Sequence, residues 1–298
     1  MLQAASSFYA AQQERVLLSI LAMRQEWSKL SKPDDFGQIA NRVLAILTSA
    51  QLGAAIDGAR MVPAALEEQG HPGGSPLKVK PAAFAGWAYG DSFDGQPLEA
   101  LLWLAPGIAN GGNTIDQQMR LGQTFLDALA RNQIPDAGRQ AAGVGIAGRV
   151  KVGYYRHVNP PCCPDCALQA GKFFRWNKGF ERHPHCDCVH VPAYRDQPPA
   201  GYTDQPALDQ ITGLSAAERQ AVQDGGSLSM VVIARRGAGG MVTTESSTRR
   251  GYYSYVQRSI ARQQGTTAAE GVTRTGARRG AGAEYADPRR VTPPLSPG

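Results

Sequence analysis

Apolar residues recur at helical spacing through the first third of the chain. Between residues 9 and 30, Val16, Leu17, Ile20, Leu21, Met23 and Trp27 form one stripe, with Gln13, Glu14, Arg24 and Gln25 elsewhere around the axis. That period predicts an amphipathic helix. Ser31-Lys32-Pro33-Asp34-Asp35 ends it and offers Asp34 or Asp35 as the next N-cap. A second helix is expected from about Phe36 to Asp57, on Ile39, Val43, Leu44, Ile46, Leu47, Leu52 and Ile56, with Pro63 limiting its extent. A shorter helix around 64–69 precedes the break Gly70-His71-Pro72-Gly73-Gly74-Ser75-Pro76.

The segment Leu98 to Ala105 reads as a buried helix. Asn113 or Thr114 then caps a helix running through Gln117, Leu121, Phe125, Leu126 and Leu129. From Ile134 to Val150 the chain is rich in Ala and Gly, and Gly138, Gly143, Gly145 and Gly148 weaken a helical assignment. Val150 to Tyr155 alternates loosely and carries β-branched and aromatic residues, which predicts a strand. Its expected partner is Cys188-Val189-His190-Val191, stopped by Pro192. Further on, Ser215 and Glu218 have capping-box spacing before a helix that ends ahead of Gly225-Gly226. Met230 to Ile233 is an apolar run too short to assign, and few buried contacts are expected beyond about residue 262.

These elements predict an α+β fold. It comprises a mainly helical N-terminal region (1–70) and a small Cys/His-clamped α+β centre (77–205). A helix with short strands (206–262) and an irregular basic C-terminal tail (263–298) complete it. A length of 298 residues is enough to bury a real core, and 42% hydrophobic against 19% charged residues argues against wholesale disorder. The net charge of +6 is unevenly spread. From Arg235 onward there are eleven arginines, no lysine, and only Glu245, Glu270, Glu284 and Asp287 as acids. Such a stretch favours anionic surroundings. No run reaches the roughly 18 apolar residues of a membrane span. Residues 1–27 lack a cleavable small-residue site behind an apolar core and do not read as a secretory signal.

The candidate chemistry is concentrated in one place. All five cysteines and four of the five histidines lie between His157 and His190. Cys163-x2-Cys166 can present two sulfurs to one ion, and His183-Pro184-His185-Cys186-Asp187-Cys188 supplies the second pair of a tetrahedral zinc site. The preferred ligands are Cys163, Cys166, His183 and Cys186, with Cys188 as the main substitute. Cys162 is the spare member of a consecutive pair whose side chains diverge. Phe173, Phe174, Trp176 and Phe180, between the two halves, either cover this knuckle or belong to the main core.

Disulfide pairing of the same cysteines is the alternative. A catalytic zinc fits less well, because four protein ligands leave no open position and no HExxH or H-x-E motif handles protons. A thiol protease using Cys163 or Cys166 with His157, His183 or His190 needs a thiolate-stabilising environment that the sequence does not display. Gly143-Val144-Gly145-Ile146-Ala147-Gly148 has GxGxxG spacing but precedes a strand instead of following one, so it is weak evidence for a nucleotide.

Three basic turns repeat: Arg235-Arg236-Gly237, Arg249-Arg250-Gly251 and Arg278-Arg279-Gly280. Their guanidinium forks suit phosphates, with Tyr252, Tyr253 and Tyr255 placed to stack on bases. They suit carboxylates and carbonyls of neighbouring subunits equally well, and that assembly role is preferred.

Taken in order, Cys163-x2-Cys166, Gly171, His183-x2-Cys186-x-Cys188 and Pro192 resemble the characteristic region of phage minor head proteins of the Mu F-like head morphogenesis family. The segments Val231 to Gly237 and Val242 to Gly251 are similar to sequences that follow this region in actinobacteriophage members. The likeness covers roughly residues 100 to 290 and none of the first hundred. It implies a low-copy structural protein of the phage head. Such a protein is associated with the portal or the capsid interior and contributes to head assembly or DNA packaging. On that basis the expected partners are the portal and major capsid proteins and phage DNA. The expected location is the virion, with the host cytoplasm during assembly. A structural zinc and a non-enzymatic role are the favoured reading. A cysteine-dependent maturation protease and a DNA-binding module are its rivals.

Overall fold

The computed structural model describes residues 2–74, 77–90, 95–176, 188–195, 197–199 and 206–232. The fold is α+β, mostly helical with a small three-stranded antiparallel sheet. The described chain divides into two compact units, one of Met1–Cys162 with Gln169–Gln210, the other of Cys163–Leu168 with the residues from Ile211 onward. No helix among the described residues is long and apolar enough to cross a membrane.

In the first unit the long helices are α1 (Gln3–Trp27) and α2 (Ala40–Glu67). Two short helices follow, α3 (Leu98–Leu102) and α4 (Leu104–Ala109), and then the longest, α5 (Ile115–Ala147). Helices α1, α2 and α5 pack on one another around Trp27, Phe36, Leu47, Leu98, Leu102, Leu126 and Ile134. The stripe on α1 is narrower than its sequence predicts. Val16, Ile20, Met23 and Trp27 are buried, whereas Leu17 and Leu21 are more than half exposed. They lie one step around the axis from the buried row, beyond the reach of α2 and α5.

Asp34 and Asp35 do not cap α2. They occupy a 3-10 turn, Pro33–Gln38, and α2 begins after Ile39 without a side-chain cap. Phe36, fully buried in the middle of that turn, holds the chain there and delays the helix. Pro63 does not stop α2 either. An interior proline costs about 3 kcal/mol. Burial of Met61, Val62 and Leu66 around it outweighs that, at about 1.5–3 kcal/mol for each large side chain.

Nor do the glycines of 134–150 break α5, which runs unbroken through Pro135 to Ala147, with Thr114 capping its start. Gly138 faces Gly58 of α2, and a Cβ on Gly58 would lie 2.2 Å from the carbonyl oxygen of Gly138. Small residues here let two helix backbones touch. Gly58→Ala is therefore expected to destabilise the protein by about 1–3 kcal/mol, against a helix-propensity gain of about 1 kcal/mol. Gly143→Ala, where the new Cβ meets nothing within 4 Å, is expected to stabilise by about 0.5–1 kcal/mol. Urea denaturation of both variants is the check, and shifts of the same sign would refute the close-approach explanation.

The sheet has the order β2-β1-β3, with β1 (Val152–His157), β2 (Phe173–Arg175) and β3 (Val189–Tyr194). Strand β3 continues past Pro192, which pairs with Tyr154. An edge strand tolerates the missing N–H, and the Pro192 carbonyl accepts a hydrogen bond from Gln69 Nε2 at 2.8 Å. Val152, Tyr154, Val189 and Val191 share a core with Phe8, Val62, Leu66 and Ile146, which fastens the sheet to the helices. Phe174 packs against this core and Phe173 against Tyr155, so these two aromatics serve the sheet.

In the second unit, α7 (Ala216–Gln223) carries the expected capping box. Ser215 accepts from the Glu218 amide and Glu218 accepts from the Ser215 amide. The run at 230–233 is helical as far as it is described, within a turn at 228–232.

Candidate metal-binding turn and the buried Cys188

Cys163-Pro164-Asp165-Cys166 folds as the start of a short helix, α6 (Pro164–Gln169), and each residue suits its place. The Cys163 carbonyl accepts from Ala167 at 3.0 Å, so Cys163 is the N-cap. Its sulfur accepts from the amide of Cys166 at 3.3 Å, the role a serine or threonine oxygen usually plays. Pro164 sits at N1, where its missing N–H costs nothing, and Asp165 in the first turn complements the helix dipole. The two sulfurs are thereby held on one turn, with a backbone N–H directed at one of them. Peptide dipoles in this orientation favour negative charge on sulfur, the form in which cysteine binds a metal.

Cys188 lies in the first unit, immediately before β3, and is 2% exposed. Two buried arginines hold it there. Arg156 of β1, itself 2% exposed, donates from Nη2 to Cys188 Sγ at 3.2 Å. Arg139 of α5 donates from Nη1 to the Cys188 carbonyl at 3.4 Å and pairs with Asp136 at 2.9 Å. A guanidinium beside a buried sulfur complements a thiolate there.

Around them, His190 stacks on Tyr154 with centroids 4.2 Å apart, and Phe174 stacks on the same ring at 5.4 Å. Burial pushes the Tyr154 hydroxyl up to about 12. Burial also holds His157 below the ordinary histidine value, with a hydrogen bond to Asn159 acting the other way. Cys162 is buried, and its amide donates to the Gln210 carbonyl at 3.1 Å. Among the described residues none of the cysteines forms a disulfide.

The structure thus brings Cys163 and Cys166 together on one turn and sets Cys188 beside Arg156. His183 and Cys186 lie outside the described residues, as do Arg235, Arg236, Arg249, Arg250, Arg278 and Arg279. Two thiols on a capped turn fit half of a tetrahedral zinc site. Among the described residues no group of three or more Cys, His, Asp or Glu side chains gathers to complete it. The GxGxxG spacing forms no phosphate loop, since Gly143 and Gly145 are inside α5 and Gly148 is its C-cap. Arg156 is the site residue that the sequence reading missed. Its signal was an arginine two residues beyond Tyr154, on the same face of the strand as Val152 and Tyr154, which pack into the core. No family model, no curated protein and no solved structure matches the chain.

Proposed function

We propose that this protein is a structural minor capsid or head-morphogenesis protein of a phage, acting near the portal or inside the capsid. The observation that carries the reading is the Cys163–Cys166 turn, followed in sequence by the His183-x2-Cys186-x-Cys188 order that the head proteins share. In this reading the turn is half of a structural clasp. Cys163 and Cys166 give two thiolates to a zinc ion, and the remaining donors come from His183, Cys186 and Cys188. Bound zinc would tie two distant stretches of chain together, which is a folding contribution and not a reaction. The arginine pairs from Arg235 to Arg279 face the portal protein, the major capsid protein or packaged DNA. The protein is made in the host cytoplasm and retained in the virion.

Cys166→Ser tests this. The expected result is loss of about one zinc per chain, measured by metal analysis of reduced protein, together with failure of head assembly when the variant replaces the wild-type protein. Normal particles from a variant that folds would overturn the structural role. A wild-type metal content near zero would overturn the clasp. Intact particles whose head proteins are no longer cleaved would point instead to a cysteine-dependent maturation protease.

A further inference from the structure

Lys151, Arg175 and Arg195 are far apart in sequence, and the sheet gathers them at one end. Val152 pairs with Tyr194 and Gly153 with Arg175, so β1 begins where β2 and β3 finish. The surface there is hollowed into a cleft of about 490 Å³, lined by Lys151, Arg175 and Arg195 together with Phe173, Trp176 and Tyr194. That volume lies within the range of about 300–1,000 Å³ typical of small-ligand sites.

Among the described residues the lining has three cations and no acid. Trp176 is 59% exposed, an indole that the apolar core does not claim. Lys151 is the one non-glycine residue among those described with a left-handed backbone, at φ 64°. Side-chain-bearing residues avoid that conformation, and it is met disproportionately where a site needs a particular side-chain direction.

We propose that this cleft binds a nucleotide unit, with its phosphate between Lys151 and Arg175 and its base stacked on Trp176. Among the described residues no carboxylate pairs with Lys151 or Arg175, so their charge selects an anion, and an arginine fork matches phosphate oxygens. The exposed indole selects a ligand with a flat, unpaired face, which a base inside a duplex does not offer. A free nucleotide and one residue of a single strand share this chemistry. The cleft uses none of the residues proposed for the zinc clasp and none of the arginine pairs beyond residue 232.

The test uses the full chain at low salt, with a fluorescein-labelled oligothymidylate as probe and thymidine monophosphate as competitor. The strand is expected to bind, to quench tryptophan emission, and to bind less tightly as salt rises. Trp176→Ala is expected to weaken binding roughly tenfold. Lys151→Gln with Arg175→Gln should weaken it further and flatten the salt dependence. Competition by the monophosphate at a similar concentration assigns the site to free nucleotides, and competition by strands alone assigns it to single-stranded nucleic acid. Absence of binding by either probe overturns the proposal. So does binding that all three cleft substitutions leave unchanged while circular dichroism and zinc content stay as in the wild type.

Discussion

Asp136→Ala is expected to remove about 3–5 kcal/mol of unfolding free energy. Asp136 and Arg139 stand one turn apart on α5, each side chain only 6% exposed. The Asp136 carboxylate accepts from Arg139 Nε at 3.2 Å and from Nη2 at 2.9 Å. Without the carboxylate, a guanidinium is left in the core with its counter-charge removed, and a buried ion in that state costs several kcal/mol. Two further variants isolate the charge effect. Asp136→Asn keeps an acceptor and should lose less. Asp136→Ala combined with Arg139→Met should lose less than Asp136→Ala alone, because an apolar replacement of both partners is often close to neutral. Urea denaturation followed by circular dichroism measures all three. A loss below about 1 kcal/mol for Asp136→Ala is the level of a surface pair and would show that water reaches these groups.

The effect should extend to the candidate site, since the same guanidinium holds the Cys188 carbonyl at 3.4 Å. Arg139 fixes the backbone of Cys188 and Arg156 its sulfur, from a helix and a strand respectively. The entry to β3 is therefore fastened from two sides by buried cations. Both are costly to desolvate, and such groups are kept inside a fold where they are paired and hydrogen-bonded.

How much of this the sequence disclosed depends on the kind of signal. Helix existence was plain, because Val16, Ile20, Met23 and Trp27 recur at a period that only a helix turns into one face. The capping box at Ser215 and Glu218 was equally plain, as its partners are three residues apart. Breakers misled. Pro63 and Pro192 each sit inside an element, since local preference is worth a few kcal/mol and the surrounding burial is worth more. The glycines of α5 were misread for a related reason. Gly138 and Gly145 make contact with α2, and nothing within α5 announces a partner some eighty residues away.

The same distinction runs through the site. Cys163 and Cys166 were legible because their spacing alone sets them on one turn. Arg156 was not, because its value comes from Cys188, which only the register of β1 against β3 brings near. The cleft was invisible for the same cause. Lys151, Arg175 and Arg195 become neighbours only through antiparallel pairing.

Trp27→Ala should lower stability by about 3–5 kcal/mol, a large share of the roughly 5–15 kcal/mol that holds a typical domain together. Trp27 is 1% exposed at the end of α1, and its ring lies on Gly122 of α5, where an added Cβ would come within 2.4 Å of the indole. It also tilts against Phe36 with centroids 6.0 Å apart, and Nε1 donates to the Met119 carbonyl at 2.9 Å. Alanine would empty a slot shaped by backbone on one side and by Phe36 on the other. Helix α5 cannot move in to fill it without pulling away from α2 at Gly138, so the cavity should persist and the upper part of the range should apply. Trp27→Phe retains most of the ring and loses the hydrogen bond, for an expected cost of about 1–2 kcal/mol. Far-UV circular dichroism in urea follows both variants without relying on tryptophan emission. Equal losses for alanine and phenylalanine would place the energy in the hydrogen bond and not in the packing of α1 on α5.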